Sequence, residues 1–156
     1  MRSDDCFWTL RLARKTDQED LENFLVFNNG EENRKLAQEY IKSSFSSDYR
    51  HPVFIIACNL DNQIIGAAAY SEEFFTVDTW GISWVSVHEN YRSQGIGYSL
   101  VERCLEHITK AARKTVTAIL ATYPGKTELY ERLGFVHAGK DHEGGTFMTK
   151  IVVLEN

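Results

Sequence analysis

A chain of 156 residues with 43% apolar and 25% charged side chains is sized to fold as one globular domain, with a core large enough to stand without disulfide or metal staples. Its net charge of −5, without a long basic run, argues against nucleic acid as a partner. Three cysteines, Cys6, Cys58 and Cys104, with no C-x-x-C spacing argue against both a disulfide framework and a zinc site, and no metal is expected.

Asp4 and Asp5 precede the first apolar run, and Arg11 and Arg14 break it, so a signal peptide is not expected. No stretch has the apolar length of a transmembrane helix. These features fit a soluble, cytoplasmic protein with no membrane partner, and they leave monomer and homodimer both open.

Residues 6–13 alternate well enough for a first strand. Thr16-Asp17-Gln18-Glu19 reads as a capping box, and Leu21, Phe24 and Leu25 give the helix that follows an apolar face. A second helix start is placed at Asn29, with Leu36, Tyr40 and Ile41 at helical spacing as far as Ser43 and Ser44. Two short helices after a single strand suggest a flap over the fold. Residues 53–60 and 63–70 are apolar runs joined by Asp61-Asn62, which reads as a β-hairpin. Residues 71–79 form a loop rich in acids and aromatics, and 80–87 is the next strand. From Gln94 to Arg113 a helix turns Ile96, Leu100, Val101, Cys104, Leu105 and Ile108 to one face, which makes Cys104 a core residue and no nucleophile. Residues 116–121 read as a strand buried on both sides. Residues 127–133 are a short helix ended by Gly134, and 135–138 and 146–154 close the sheet.

Chemistry concentrates at residues 84–105. Val85 and Val87 alternate, His88-Glu89-Asn90 turns the chain, and Arg92-Ser93-Gln94-Gly95-Ile96-Gly97 opens the helix. The first N–H groups of a helix have no internal partners and sit at the positive end of its dipole, so such a junction suits an anion. Glycines without Cβ let a phosphate approach the main chain, and Arg92 adds a charged fork. A tight turn alone would also use two glycines, so this spacing leaves both readings open.

The run V-x-V-x-x-x-Y-R-x-x-G-I-G-x-x-L resembles the acyl-CoA motif of the GNAT superfamily of N-acetyltransferases. Leu129-Tyr130-Glu131-Arg132-Leu133-Gly134-Phe135 resembles the superfamily's later motif. The resemblance implies a mixed α/β sheet in the order β-α-α-β-β-β-α-β-α-β-β over residues 1–156, with acyl-CoA in a gap where the fourth strand (80–87) and the fifth (116–121) splay apart. It implies direct transfer of an acetyl group from acetyl-CoA to a primary amine of a small molecule or peptide. By the same resemblance the Val85 N–H bonds the thioester oxygen, Val87 pairs with the pantetheine arm, and Arg92 with the main chain of Ser93, Gln94, Gly95, Ile96 and Gly97 holds the pyrophosphate. The resemblance also implies that Tyr130 protonates the departing thiolate.

Several positions depart from the superfamily's pattern. Gly81, Ser83 and Ala118 stand where relatives often carry a base. A water chain ending at Glu72, Glu73 or Asp78 is one substitute, and His88 in the turn is a weaker one. If the loop overhangs the gap, Glu72, Glu73 and Asp78 would attract a cationic amine while Phe74, Phe75 and Trp80 grip its apolar part. The Gly125-Lys126-Thr127 run is no Walker A loop, because Leu120 stands where glycine is needed. Lys126 lies near a CoA phosphate or in solvent. The missing base leaves a second reading, a sensor that binds acyl-CoA and transfers nothing.

Overall fold

The computed structural model describes residues 7–47, 50–74 and 76–154. Its strands are β1 (Trp8–Leu12), β2 (Val53–Asn59), β3 (Ile64–Glu72), β4 (Thr79–Val87), β5 (Val116–Thr122), β6 (Val136–Lys140) and β7 (Thr146–Val152). They form one seven-stranded sheet in the order β1-β2-β3-β4-β5-β7-β6. Neighbours are antiparallel except β4 and β5, which run parallel. The helices are α1 (Gln18–Asn29), α2 (Arg34–Ser44), α3 (Ile96–Ala111) and α4 (Glu128–Arg132). No helix among the described residues is long and apolar enough to cross a membrane.

The two faces of the sheet hold separate cores. On one face Ile55, Ala57, Ile65, Ala68, Tyr70 and Ile82 meet Ile96, Leu100, Val101, Cys104 and Ile108 of α3. On the other Phe54, Ile56, Cys58, Ala67 and Ala69 meet Leu21, Phe24, Leu25 and Val26 of α1 with Ala37 and Ile41 of α2. This double cover explains why β2 and β3 read as continuous apolar runs and not as an alternation. Their hairpin turns where expected: the Asn59 carboxamide oxygen accepts the N–H groups of Asp61 and Gln63 at 3.0 and 2.9 Å, and Asn62 is left-handed at φ 60°.

The α1–α2 pair is core and not a flap. Leu21, Leu25 and Ala37 have no exposed surface, and truncating a leucine so placed typically costs 2–5 kcal/mol. Its entry also differs from the expected Thr16 box. The Asp17 carboxylate accepts the Arg14 N–H at 2.6 Å and takes the Arg11 guanidinium at 2.7 and 2.9 Å, which ties α1 to β1. The second helix starts later than Asn29, because Gly30 at φ 101° and a short 3-10 turn, Glu31–Asn33, intervene.

β5 also differs from expectation. Val116, Ala118 and Leu120 are buried against the α3 side, but Ala121 is exposed and Thr117 and Ile119 are half-buried. The strand is therefore one-sided, since α1 and α2 pack mainly over β2, β3 and β4. The α4 helix ends as its glycine suggested, with Gly134 left-handed at φ 90° and the Phe135 N–H returning to the Tyr130 carbonyl at 3.0 Å.

Candidate active site

Two backbone irregularities open the centre of the sheet. β4 and β5 pair only at Thr79–Thr117, Trp80–Ala118 and Gly81–Ile119, and both strands run on without a shared ladder. Against β3 the register steps from Ala69–Ser83 to Ala67–Ser86, so Trp84 and Val85 together face Ala68. Such a bulge leaves a residue outside the ladder, bends the strand and re-aims its main chain. Trp84 takes the strain at φ 57°, a region costly for a bulky residue, with its ring 6.0 Å from that of Tyr40.

The gap holds two cavities, of about 370 and about 530 Å³, which share Asn29, Val85, Thr122, Tyr123 and Tyr130. They form one trench, with Val85 and Tyr130 at its waist.

The larger cavity is the basic end, bounded by Val87, Arg92, Gly97, Lys126 and Leu129. Ser93 and Gly95 are left-handed at φ 65° and 82°, and the side chains of Arg92, Ser93 and Gln94 are exposed, so nothing occludes the turn. Gly95 caps α3 with no side chain, leaving the first-turn N–H groups as orphan donors. Ile96, 1% exposed, anchors this turn in the core: a Cβ on Gly66 would stand 2.9 Å from its Cγ2, which brings α3 tight against β3. A Cβ on Gly97 would lie 3.3 Å from Leu129 and 3.6 Å from Val87, so α3, β4 and α4 converge on that glycine. Among the described residues neither Arg92 nor Lys126 makes an ion pair. Both cations are left to face the cavity. Arg92, Gly97, Val85 and Val87 line the trench; Ser93, Gln94, Gly95 and Ile96 are not among its lining residues and form the turn that joins Arg92 to Gly97.

At the waist, Tyr130 is 7% exposed and packs edge-on against Phe135, with ring centroids 6.1 Å apart. Burial pushes its phenol up to about 12, opposed by the Thr122 hydroxyl. It is therefore protonated at neutral pH and has a proton to give, though less readily than a phenol at its ordinary value near 10. Cys104, with no exposed surface, is pushed up to about 12 by burial, so no thiolate nucleophile is available there.

The smaller cavity is the polar end. Asn29 and Asn33 flank it from the α1–α2 junction, Leu36 and Tyr40 from α2, Ser83 from β4, and Asp141 and Glu143 from the β6–β7 loop. The Asn29 amide donates to the Leu25 carbonyl at 2.8 Å and to Ser86 Oγ at 3.0 Å, and Ser83 Oγ donates to Tyr40 Oη at 3.3 Å. Asp141 Oδ1 accepts the N–H groups of Glu143 and Gly145 at 2.9 and 2.7 Å, which shapes the loop. The sequence reading had Ser83 where relatives carry a base and Leu36 and Tyr40 only on the apolar face of α2, and it gave Asn29, Asn33, Asp141 and Glu143 no site role. Leu36 is in fact 52% exposed, while Ala37 and Ile41 are buried.

The expected acceptor loop is only partly assembled here. Trp80 points to the α3 face, 6.2 Å from the Tyr70 ring, because strand alternation sends Gly81 and Ser83 to the α1–α2 face instead. Asp78 faces Lys114 at 3.1 Å, and its carbonyl accepts the Thr117 N–H at 2.9 Å, away from the trench. Phe75 lies outside the described residues. Glu72, Glu73 and Phe74 border a third cavity of about 450 Å³, which adjoins the polar end through Leu36 and Tyr40. Glu72 pairs there with Arg50 at 3.3 Å. His88 has a local task, its Nδ1 accepting the Asn90 N–H at 3.1 Å.

Known proteins resemble this arrangement at two levels. No curated protein matches the chain in sequence. Solved structures match it in fold. One is the GNAT family N-acetyltransferase YhbS from Escherichia coli in complex with CoA, 19% identical over 94% of this chain and 82% of that one, with TM-score 0.74. Another is aminoglycoside 6'-acetyltransferase type Ii, 17% identical over 95% and 99%, with TM-score 0.76. A third is the ribosomal-protein-S18-alanine N-acetyltransferase from Escherichia coli, 15% identical over 96% of each chain, with TM-score 0.71. The family model of the GNAT acetyltransferases matches residues 14–135, most of the chain and both motif stretches. The chain therefore belongs to the acetyltransferase (GNAT) family.

Proposed function

We propose that the whole chain is one catalytic domain that transfers an acetyl group from acetyl-CoA directly to a primary amine of a small molecule or peptide. The observation that carries this reading is the waist of the trench, where the bulged main chain at Val85 and the protonated phenol of Tyr130 border the same gap.

The nucleotide would lie in the basic end, its pyrophosphate on the N–H groups of residues 93–97 with Arg92 alongside, and Lys126 near a phosphate. The CoA complex of YhbS supports that choice of cosubstrate. The pantetheine arm would extend β4 at Val87, bringing the thioester to Val85. There the Val85 N–H would donate to the carbonyl oxygen as it gains charge, and a preorganised donor of this kind is typically worth about 3 kcal/mol of barrier. The amine attacks the carbonyl carbon, the C–N bond forms and the C–S bond breaks. The thiolate takes a proton from Tyr130, and the phenol recovers one from the amide nitrogen. The thiols of Cys58 and Cys104, both raised by burial, support direct attack without either as a carrier.

The test is free thiol released from acetyl-CoA with polyamines, aminoglycosides, amino acids and peptides as acceptors. Release with one class and none without acceptor is the expected result; none with any class would contradict the reading. Gly81, Ser83 and Ala118 offer no base, which favours a non-catalytic acyl-CoA sensor as the alternative. Tight CoA binding without turnover would select it.

A further inference from the structure

We propose that the Glu73 carboxylate, reaching from the β3–β4 loop into the space a side chain on Gly81 would fill, takes the proton from the acceptor ammonium. This rests on the acetyl transfer proposed above. An amine with pKa near 10.4 is almost wholly protonated at neutral pH and cannot attack until it loses that proton, yet β4 carries no base of its own.

Gly81 and Ser83 stand opposite Ser71 and Ala69, on the sheet face toward α1 and α2. A Cβ built on Gly81 meets Glu73 and nothing nearer: Oε1 collides with it, and Cδ and Cγ lie 3.1 and 3.6 Å away. The missing side chain of β4 is thus replaced by a carboxylate from the neighbouring loop. The loop holds it there, with the Glu73 N–H donating to the Thr79 carbonyl at 2.9 Å and Arg50 Nη1 donating to the Glu73 carbonyl at 3.1 Å.

The carboxylate itself is kept available. Among the described residues no ion pair or hydrogen bond reaches it, and Arg50 directs its charge to Glu72 at 3.3 Å and its guanidinium plane to the Phe74 ring at 5.4 Å. The other titratable groups around the adjoining cavity are Glu39, Tyr40 and His51. Burial alone raises the Glu73 carboxyl, which brings it closer to an amine's affinity for the proton. Two residues along β4, about 7 Å from Gly81, the Ser83 hydroxyl donates to Tyr40 and borders the polar end of the trench. A water between Glu73 and these hydroxyls would complete the path. The amine's first proton goes to Glu73 and then to solvent; its second returns to Tyr130 after the phenol has protonated the thiolate. One ammonium and one thioester give one amide, one thiol and one released proton.

The test compares wild type and Glu73→Gln with the best acceptor across pH, alongside CoA affinity and thermal stability. The expected kcat falls about a hundredfold at neutral pH with CoA affinity unchanged, and the deficit narrows as pH approaches the amine's own pKa. A second variant, Glu73→Ala with Gly81→Glu, returns a carboxylate to the same space from β4 and should recover about tenfold over Glu73→Ala alone. A Glu73→Gln enzyme with wild-type rate and pH profile would overturn the proposal. So would a deficit that is equal at every pH and unrelieved by the paired variant. A wild type silent with every acceptor would instead remove the acetyl-transfer reading, and this one with it.

Discussion

The two ends of the trench are made of different material. The basic end is main chain: a left-handed turn at Ser93 and Gly95, the uncapped start of α3, and the strand edge at Val87, with Arg92 and Lys126 adding charge. The polar end is side chain: Asn29, Asn33, Tyr40, Ser83 and Asp141, brought from α1, the α1–α2 junction, α2, β4 and the β6–β7 loop. Main-chain donors at a helix start attract an anion whatever the neighbouring side chains are, so on the proposed reading the first end can stay fixed while the second changes. A pocket built from separate segments can be altered one residue at a time.

Breaking the waist should cost most, since both ends depend on it. Tyr130→Phe is expected to lower kcat about a hundredfold, with the CoA dissociation constant unchanged by calorimetry; an unchanged kcat would remove the phenol from the reaction. Next comes the basic end. In Gly97→Val the first added carbon already stands 3.3 Å from Leu129, so the branched side chain must push α4 from β4. Overpacking of this kind costs about 2 kcal/mol of stability, and with the turn displaced CoA affinity should fall roughly thirtyfold. Arg92 is exposed, so Arg92→Ala should weaken CoA binding only about fivefold in dilute buffer, and less in high salt, where the charge is screened.

The polar end is expected to respond through stability, because it stands on α1 and α2. Asp17→Asn loosens the tie between Arg11 and the start of α1 and should cost about 1–2 kcal/mol in urea unfolding at neutral pH. The hydrogen bond from Arg11, more than any other contact, holds the Asp17 carboxyl below its ordinary 3.8. A depressed folded-state value gives stability that is present above 3.8 and is lost as pH falls through the lowered value. Wild type and variant should therefore converge in strong acid; a gap that persists there would mean that the carboxylate's charge is not what stabilises α1.

The same division governs what could be read from the sequence. The α3 turn was legible because its residues are contiguous and its chemistry is local: glycine for a left-handed turn, a helix start for an anion. The β2–β3 hairpin was legible from its two apolar runs and β1 from alternation. The β4 bulge was not, because φ 57° at Trp84 answers to no residue preference; it accompanies the register step against β3 and the seating of the Trp84 ring beside Tyr40. The α1–α2 pair looked like a flap because two short helices follow a single strand, yet Leu21 and Leu25 are wholly buried by a sheet that only the complete fold supplies. Trp80 was assigned to the acceptor side from the company of acids in its loop, whereas the register of β4 with β3 decides which face a side chain takes. Glu73 over Gly81 is a contact across a loop, and no spacing rule encodes it.

The central claim is that main-chain donors at the start of α3 and the freed edge of β4 orient a thioester into the gap beside β5. A crystal structure with CoA bound tests it most directly. The expected result is pyrophosphate oxygens about 3 Å from the N–H groups of residues 93–97, with the pantetheine arm along Val87 and its sulfur between Val85 and Tyr130. CoA bound elsewhere, or in the trench with its sulfur remote from Tyr130, would contradict it.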